Sequence, residues 1–469
     1  MRRITISIML AIILFPLIGK SQNTSRFAGS WAGHLNVGTI KLRLGLNFMD
    51  TAGIFVATLD SPDQGAYGIK TDRTTVNADA IKVEANAMMA SYEGIMQPGD
   101  SLISGKWMQG GQSFELLLHK MVKPIKLNRP QEPKAPYPYK AEEVKFRNEK
   151  AGIELAGTLT LPEGKGPFPA VVLISGSGPQ NRDEELLGHK PFLVIADYLS
   201  RNGIAVLRYD DRGVGQSKGN FTNATTFDFA DDAEAAFGFL EKHSLIDKKH
   251  TGLAGHSEGG IIAPIVASGN KSVDFIIMLA GTGLDGEQIL NAQSAKIMEA
   301  EGAKPSEIEE TRKLNSEIYR IVKREPDSAA AMKLMLMAVE QDIKSDTSIK
   351  ESEKGERIKQ SASSLSYMTS AWMRTFLVLD PQQYLVKVKC PVLDLNGSMD
   401  LQVPCDMNQQ AIEKALKKGK NKDYSIIKLD GLNHLFQHCS TGSPNEYATI
   451  EETFAPEALQ AIKDWILRK

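Results

Sequence analysis

One five-residue stretch narrows the possible folds more than anything else in the chain: Gly255-His256-Ser257-Glu258-Gly259, a G-x-S-x-G. It follows the short apolar run Gly252-Leu253-Ala254-Gly255 and precedes an apolar segment, Gly260–Ala267, that reads as a helix. A serine held at a sharp strand-to-helix turn needs glycine two residues to either side, because a Cβ there would meet the neighbouring strand and helix. Its hydroxyl then stands clear of the sheet, at the N-terminus of the helix. The bare motif is common; its place between strand and helix is what makes Ser257 a candidate nucleophile. A hydroxyl is a poor nucleophile at neutral pH, so a base must lie beside it and an acid must orient that base.

The surrounding pattern suits such a turn. A strand pair, Val144–Phe146 and Ile153–Leu161, opens the region. Short apolar runs then alternate with helical stretches: Ala170–Ile174, a helix over Phe192–Arg201, Ile204–Leu207, a helix over Phe227–Lys242, and Phe275–Leu279. The alternation resumes with Val392–Leu395, a helix over Met407–Lys417, Tyr424–Leu429 and a last helix over Pro456–Leu467. Buried strands alternating with helices indicate an α/β class, a mostly parallel sheet covered on both faces over 141–469. The stretch 284–379 has no strand-like run and is rich in Ala, Glu, Lys, Met and Gln. It is expected to be a helical lid inserted over the carboxyl edge of the sheet.

In a sheet of this kind the acid and then the base follow the serine in chain order, each just beyond a strand. Asp400 meets that condition after Leu395-Asn396-Gly397-Ser398-Met399. Asp394 lies within the strand run and could not readily reach a loop histidine. Of eight histidines, six precede Asp400, leaving His434 and His438. His434 is nearer the strand end and is the expected base, with His438 at the surface or pocket. Two oxyanion donors are expected: the backbone N–H of Glu258 and one from the loop Ser175-Gly176-Ser177-Gly178-Pro179, Ser177 being preferred and Gly176 the alternative. Glu258 is given no proton-transfer role. Asp210, Asp211 and Arg212 read as an ion-paired loop supporting the oxyanion turn. The Gly-Ser-Gly of that turn is no dinucleotide fingerprint, since Asn181 stands where a third glycine is needed.

The rest of the chain is of other kinds. Short alternating runs over 22–120, such as Thr39–Leu44 and Ile54–Leu59, indicate a small all-β domain, a sandwich or barrel, with Trp31 and Trp107 as core aromatics. Five prolines in 121–140 mark an extended linker. Residues 1–21 have Arg2 and Arg3, an apolar run from Ile4 to Ile18, and a small-x-small site at Gly19-Lys20-Ser21. This is the pattern of a signal peptide, so export to a periplasmic or extracellular space is expected, with no membrane span after cleavage. With 55 basic and 57 acidic side chains, nothing draws nucleic acid to the chain. Three cysteines show no zinc spacing and no metal site is expected. In an oxidising compartment a Cys405–Cys439 disulfide would tie the acid loop to the base loop, leaving Cys390 buried and free.

Together, Ile174–Asp183, Leu207–Ser217 and the Ser257 turn resemble the α/β-hydrolase fold. The likeness is to a bacterial carboxylesterase branch close to the serine-aminopeptidase-like and dienelactone-hydrolase-like groups, and covers about 144–468. That resemblance implies Ser257, Asp400 and His434 as a catalytic triad and no cofactor. The expected activity is hydrolysis of a small-molecule carboxylic ester through an acyl-enzyme. Peptide, amide or thioester cleavage on the same fold is one alternative, and a non-catalytic envelope or glycan-binding protein is another.

Overall fold

The computed structural model describes residues 24–468, apart from 38–39, 52–53, 63–65, 111, 123–127 and 348. The expected signal peptide therefore lies outside the described residues, as do 123–127 of the expected linker. The chain divides into two units between 126 and 127.

Nine strands build the first unit: β1 (Gly29–Val37), β2 (Ile40–Thr51), β3 (Ile54–Ser61), β4 (Ala66–Lys70), β5 (Arg73–Asn77), β6 (Ala80–Ala85), β7 (Ala90–Met96), β8 (Leu102–Gln109) and β9 (Gln112–Met121). In β6, Ile81, Val83 and Ala85 are buried while Ala80 and Lys82 are exposed, the period of two that gives a sheet one apolar face. Sandwich and barrel were both compatible with that alternation. The strands in fact form one antiparallel sheet, ordered β4-β3-β2-β1-β9-β8-β7-β6-β5. It is not divided into the two sheets of a sandwich; it curls until β3 and β5 are in contact. Its core holds Phe27, Trp31, Phe48, Tyr92 and Trp107. Trp31 donates its indole N–H to the Phe27 carbonyl at 2.7 Å, so this large ring is buried without an orphaned donor.

The second unit begins within the expected linker. Arg129 donates to the main-chain carbonyls of Leu187 (3.0 Å), Gly188 (3.2 Å), Ala448 (2.8 Å) and Ile450 (2.8 Å). Residues 128–140 are thus not a free spacer, because one guanidinium fork fastens their start to two loops of the second unit.

That unit is built on β10 (Lys140–Asn148), β11 (Ile153–Leu161), β12 (Phe168–Ile174), β13 (Ala205–Tyr209), β14 (Ile246–His256), β15 (Ile276–Leu279), β16 (Val392–Gly397) and β17 (Tyr424–Leu429). The order is β10-β11-β13-β12-β14-β15-β16-β17, parallel from β13 to β17. Helices α1 (Pro191–Arg201) and α11 (Pro456–Leu467) bury Phe192, Leu199, Leu459 and Ile462 on one face. On the other, α2 (Thr226–Lys242), α3 (Gly259–Gly269) and α10 (Cys405–Lys418) bury Phe237, Ile262 and Ile412. Both faces are covered, which is why the central strands read as continuous apolar runs. Between β15 and β16 stand α4 (Gly286–Ala300), α5 (Pro305–Arg324), α6 (Ser328–Ser345), α7 (Glu351–Met368), α8 (Ala371–Phe376) and the short α9 (Gln382–Leu385). The first five have a core of their own, including Tyr319, Val322, Met335 and Leu365.

Register decides where the loops emerge. Ile174 pairs with Gly255, His256 with Leu279, Leu279 with Leu395, and Gly397 with Leu429. These five strands, β12 and β14 to β17, therefore end at one edge, and the segments carrying Ser177, Ser257, Asp400 and His434 all leave from it.

Candidate active site

Ser257 follows the last residue of β14 and has φ +53°, a left-handed conformation that costs a non-glycine residue energy. Its N–H is held by the Leu279 carbonyl at 2.8 Å. A Cβ on Gly255 would lie 1.9 Å from the Gly259 carbonyl oxygen, and one on Gly259 would lie 2.2 Å from that of Ile174. Neither position can carry a side chain, the steric reason for the G-x-S-x-G pattern. Helix α3 begins at once, so Ser257 and Glu258 stand at its N-terminus, where the free N–H groups favour negative charge.

Asp400 and His434 meet across two loops. His434 Nδ1 lies 2.8 Å from Asp400 Oδ2, and both side chains are buried. Asp400 Oδ1 accepts the N–H groups of Gln402 and Val403, each at 2.8 Å. The carboxyl is thus fixed at both oxygens, and the imidazole carries its proton on Nδ1, leaving Nε2 as its acceptor. The base loop is turned by Asn433, whose Oδ1 accepts the N–H groups of Leu435 and Gln437 at 3.0 Å. His438 is elsewhere: it is exposed, between Glu452 (2.8 Å) and Glu457 (3.0 Å), whose hydrogen bonds raise its proton affinity. Asp394 is buried in β16. Its carboxyl oxygens have no hydrogen-bond partner among the described residues, and burial pushes its pKa up to about 7. Gln409, which favours the charged form, gives its amide to the Ile427 carbonyl at 3.0 Å.

Of the two oxyanion-loop residues considered, Gly176 has its N–H engaged by Glu184 Oε1 at 2.7 Å. Ser177 lines the same cavity as Ser257, Glu258 and His434. The loop is pinned from beneath. Asp211 accepts from Ser175 Oγ (2.8 Å) and the Gln180 N–H (2.9 Å), and Asp210 pairs with Arg182 at 2.8 Å. Burial pushes Asp211 up to about 7. Arg212 turns away from the loop and pairs with Asp228 and Asp232 of α2.

Residues 190–437 match the family model described as serine aminopeptidase, S33. The chain belongs to this family of hydrolases. Esterase EstD of Thermotoga maritima is 34% identical over 166 residues, which are 35% of this chain and 39% of that protein, so the chain matches well under half the length of this curated relative. Among solved structures, the Pyrococcus furiosus esterase PF2001 is 15% identical, covering 73% of this chain and 97% of that one, with a TM-score of 0.43. The alpha/beta hydrolase GrgF of Penicillium sp. sh18 is 16% identical over 63% of this chain and 91% of that one, with a TM-score of 0.41. The family match carries the assignment of an α/β-hydrolase fold; these looser overlaps add no weight to it.

In this member of the serine aminopeptidase S33 family the cavity measures about 80 Å³. Ile289 and Leu290 of α4, Trp372 and Phe376 of α8, and Ile261 and Val403 give it apolar walls. One of those walls is bonded to the serine turn. Glu258 Oε1 accepts from Trp372 Nε1 at 2.7 Å and from Thr226 Oγ1 at 2.6 Å, and burial pushes its pKa up to about 7. No group of His, Cys, Asp or Glu side chains suited to a metal ion occurs among the described residues, and none of their helices is long and apolar enough to cross a membrane. The possible Cys405–Cys439 disulfide is absent, and all three cysteines are free. Cys405 opens α10 with its Sγ toward the Asn396 carbonyl, whereas the Cys439 Sγ faces the Gly431 carbonyl at 3.4 Å. The loops do approach one another, but the two sulfurs are turned to different partners. Three residues that sequence reasoning left out belong to this region: Glu184, Trp372 and, as a ligand of its neighbours rather than as a base, His256. The position of His256 inside the G-x-S-x-G was the one available signal.

Proposed function

We propose that the protein is a serine hydrolase that cleaves carboxylic esters with short acyl groups. The observation that carries this reading is the buried Asp400–His434 pair at 2.8 Å on the wall of the cavity that Ser257 shares. Ser257 attacks the acyl carbon while His434 Nε2 takes its proton, and Asp400 holds the tautomer and stabilises the imidazolium. The N–H groups of Glu258 and Ser177 receive the oxyanion; each such donor contributes about 3 kcal/mol to the transition state. His434 returns the proton to the leaving alkoxide, and water then releases the acyl group by the same steps. A cavity of about 150 Å³ accommodates benzene, so one of about 80 Å³ suits an acyl chain of about two to four carbons. Helices α4 and α8 supply part of its walls, which supports reading the insertion as a lid.

Turnover of p-nitrophenyl acetate, butyrate and octanoate, beside aminoacyl p-nitroanilides, tests the proposal. Acetate and butyrate should lead. Faster anilide cleavage would make the enzyme a peptidase, and failure of Ser257 to react with a fluorophosphonate probe would leave only a binding role. The leader pattern in 1–21 supports export, and an exported mature chain beginning at Gln22 is what N-terminal sequencing should find.

A further inference from the structure

Against the back of the Ser257 turn lies a buried group of side chains for which the proposed reaction has no use. His256 Nδ1 is 2.9 Å from Glu184 Oε1, and its Nε2 is 3.0 Å from the main-chain carbonyl oxygen of His434. The same Glu184 oxygen accepts the Gly176 N–H at 2.7 Å. Both side chains are buried, and Glu184 holds a left-handed backbone, φ +51°. A non-glycine residue keeps that conformation only where its surroundings over-determine it.

The hydrogen-bond roles follow from the acceptors. A carbonyl only accepts, so His256 Nε2 must carry a proton. Glu184 Oε1 also receives the Gly176 amide proton, an arrangement that suits a carboxylate oxygen accepting from Nδ1 as well. In that arrangement His256 is an imidazolium and Glu184 its counter-ion, in line with the raised proton affinity of His256. Burial opposes the charge, but Glu184, the His434 carbonyl and Asp400 outweigh it and hold the proton affinity of His256 above its ordinary value. The charged or titratable groups facing His256 are Glu184 from the oxyanion loop, Asp400 from the acid loop and the His434 ring, 4.9 Å away between centroids.

We propose that His256 and Glu184 are positioning residues: a buried ion pair that fixes the oxyanion loop, through Gly176, and the base loop, through the His434 carbonyl, against the turn that carries Ser257. This rests on reading Ser257 and His434 as nucleophile and base. The link spans the three segments whose spacing defines the reaction, and a misplacement of about 1 Å can cost about 100-fold in rate. Loss of the His256 proton at high pH turns a donor into a lone pair facing a carboxylate. The link to Gly176 then weakens while Ser257 and His434 remain chemically competent.

Glu184→Gln, His256→Gln and the double variant, made in the full chain, test the pair. For each, kcat and KM for p-nitrophenyl acetate are measured from pH 5 to 10, with Tm alongside. Each single variant should lose about 10- to 100-fold in kcat with KM within about threefold. The double variant should lose little more than the worse single, as expected of a unit. In Glu184→Gln the alkaline fall of kcat should move to lower pH by about one unit or more. Wild-type kcat and pH profile in a folded Glu184→Gln would overturn the proposal; should that variant not fold, the same result in His256→Gln would. Additive losses in the double variant, or losses in kcat that only track Tm, would also overturn it by making the pair merely structural. His434→Ala separates the underlying reading: full activity there would remove His434 as the base, whatever the two glutamine variants do.

Discussion

The two sheets bury different things. In the nine-stranded sheet, Asp60 and Ser61 are the buried polar residues among those described, tyrosine and tryptophan aside, and Asp60 is satisfied by Asn47 (2.7 Å) and the Gly68 N–H (2.8 Å). The eight-stranded sheet buries Glu184, Asp211, His256, Glu258, Asp400 and His434 around one edge. Removing charges from water is expensive unless each finds a partner, so such a cluster destabilises unless it is nearly complete. The first unit puts its burial into aromatics and aliphatics, which stabilise its sheet. The second gives up part of that stabilisation at the edge where its parallel strands end. Chemistry-bearing residues are concentrated where burial is worst used for stability.

The largest test of this difference lies at the edge itself. Ser257→Ala should leave a folded protein with kcat reduced by at least about 10⁴, and His434→Ala nearly as much. His438→Ala should change kcat little, since that ring is exposed between two glutamates. A more damaging His438→Ala would move the base out of the buried cluster and undo the contrast between the two sheets.

What the sequence revealed of this edge depends on how local each constraint is. The Ser257 turn was legible because its glycines answer to steric contacts within five residues and to one neighbouring strand. Asp400 and His434 were legible because parallel topology sends successive strand ends to the same edge. Glu184 was not: its bond to His256 joins positions 72 apart, and no periodicity marks it. Trp372 was hidden in the same way, 114 residues from Glu258. Alternation in the first unit gives strand faces but not the number of sheets. Loop proximity correctly brought Cys405 and Cys439 to neighbouring segments, but side-chain direction, which decides a disulfide, is not carried by proximity. Arg129 looked like linker because its partners at Ala448 and Ile450 are about 320 residues away.

A smaller effect is expected from the apolar core of the first unit. Trp107 is fully buried there. Trp107→Ala should cost that unit about 3–5 kcal/mol, read as an earlier unfolding transition in urea, while kcat for p-nitrophenyl acetate stays at the wild-type value. A parallel fall in kcat would show that the aromatic core contributes to turnover, which the difference between the two sheets does not allow.

The smallest effect sharpens the contrast from within the second sheet, because one of its buried carboxyls lies apart from the site. Asp394 sits in β16 without a hydrogen-bond partner among the described residues, and burial raises its pKa to about 7 in the folded state. Below about pH 4 it is protonated whether folded or not and has no effect on the pH dependence. Between about pH 4 and 7 the folded chain keeps a proton that the unfolded chain releases, so its contribution to stability falls as pH rises. Above pH 7 the whole penalty of a buried, unpaired carboxylate is present. Asparagine has the shape of the neutral acid and no charge to bury. Asp394→Asn should therefore match the wild type near pH 4, exceed it slightly at pH 5 and exceed it by on the order of 2–4 kcal/mol at pH 8, with kcat unchanged. A shallower decline with pH should persist in the variant, since Asp211 and Glu258 are raised to about 7 by the same cause. Urea midpoints at pH 5 and 8 measure the effect. Equal shifts at the two pH values would mean that Asp394 is ionised and satisfied in the folded chain. A loss of kcat would instead make it part of the cluster at the edge, where every other raised carboxyl named here already has a partner.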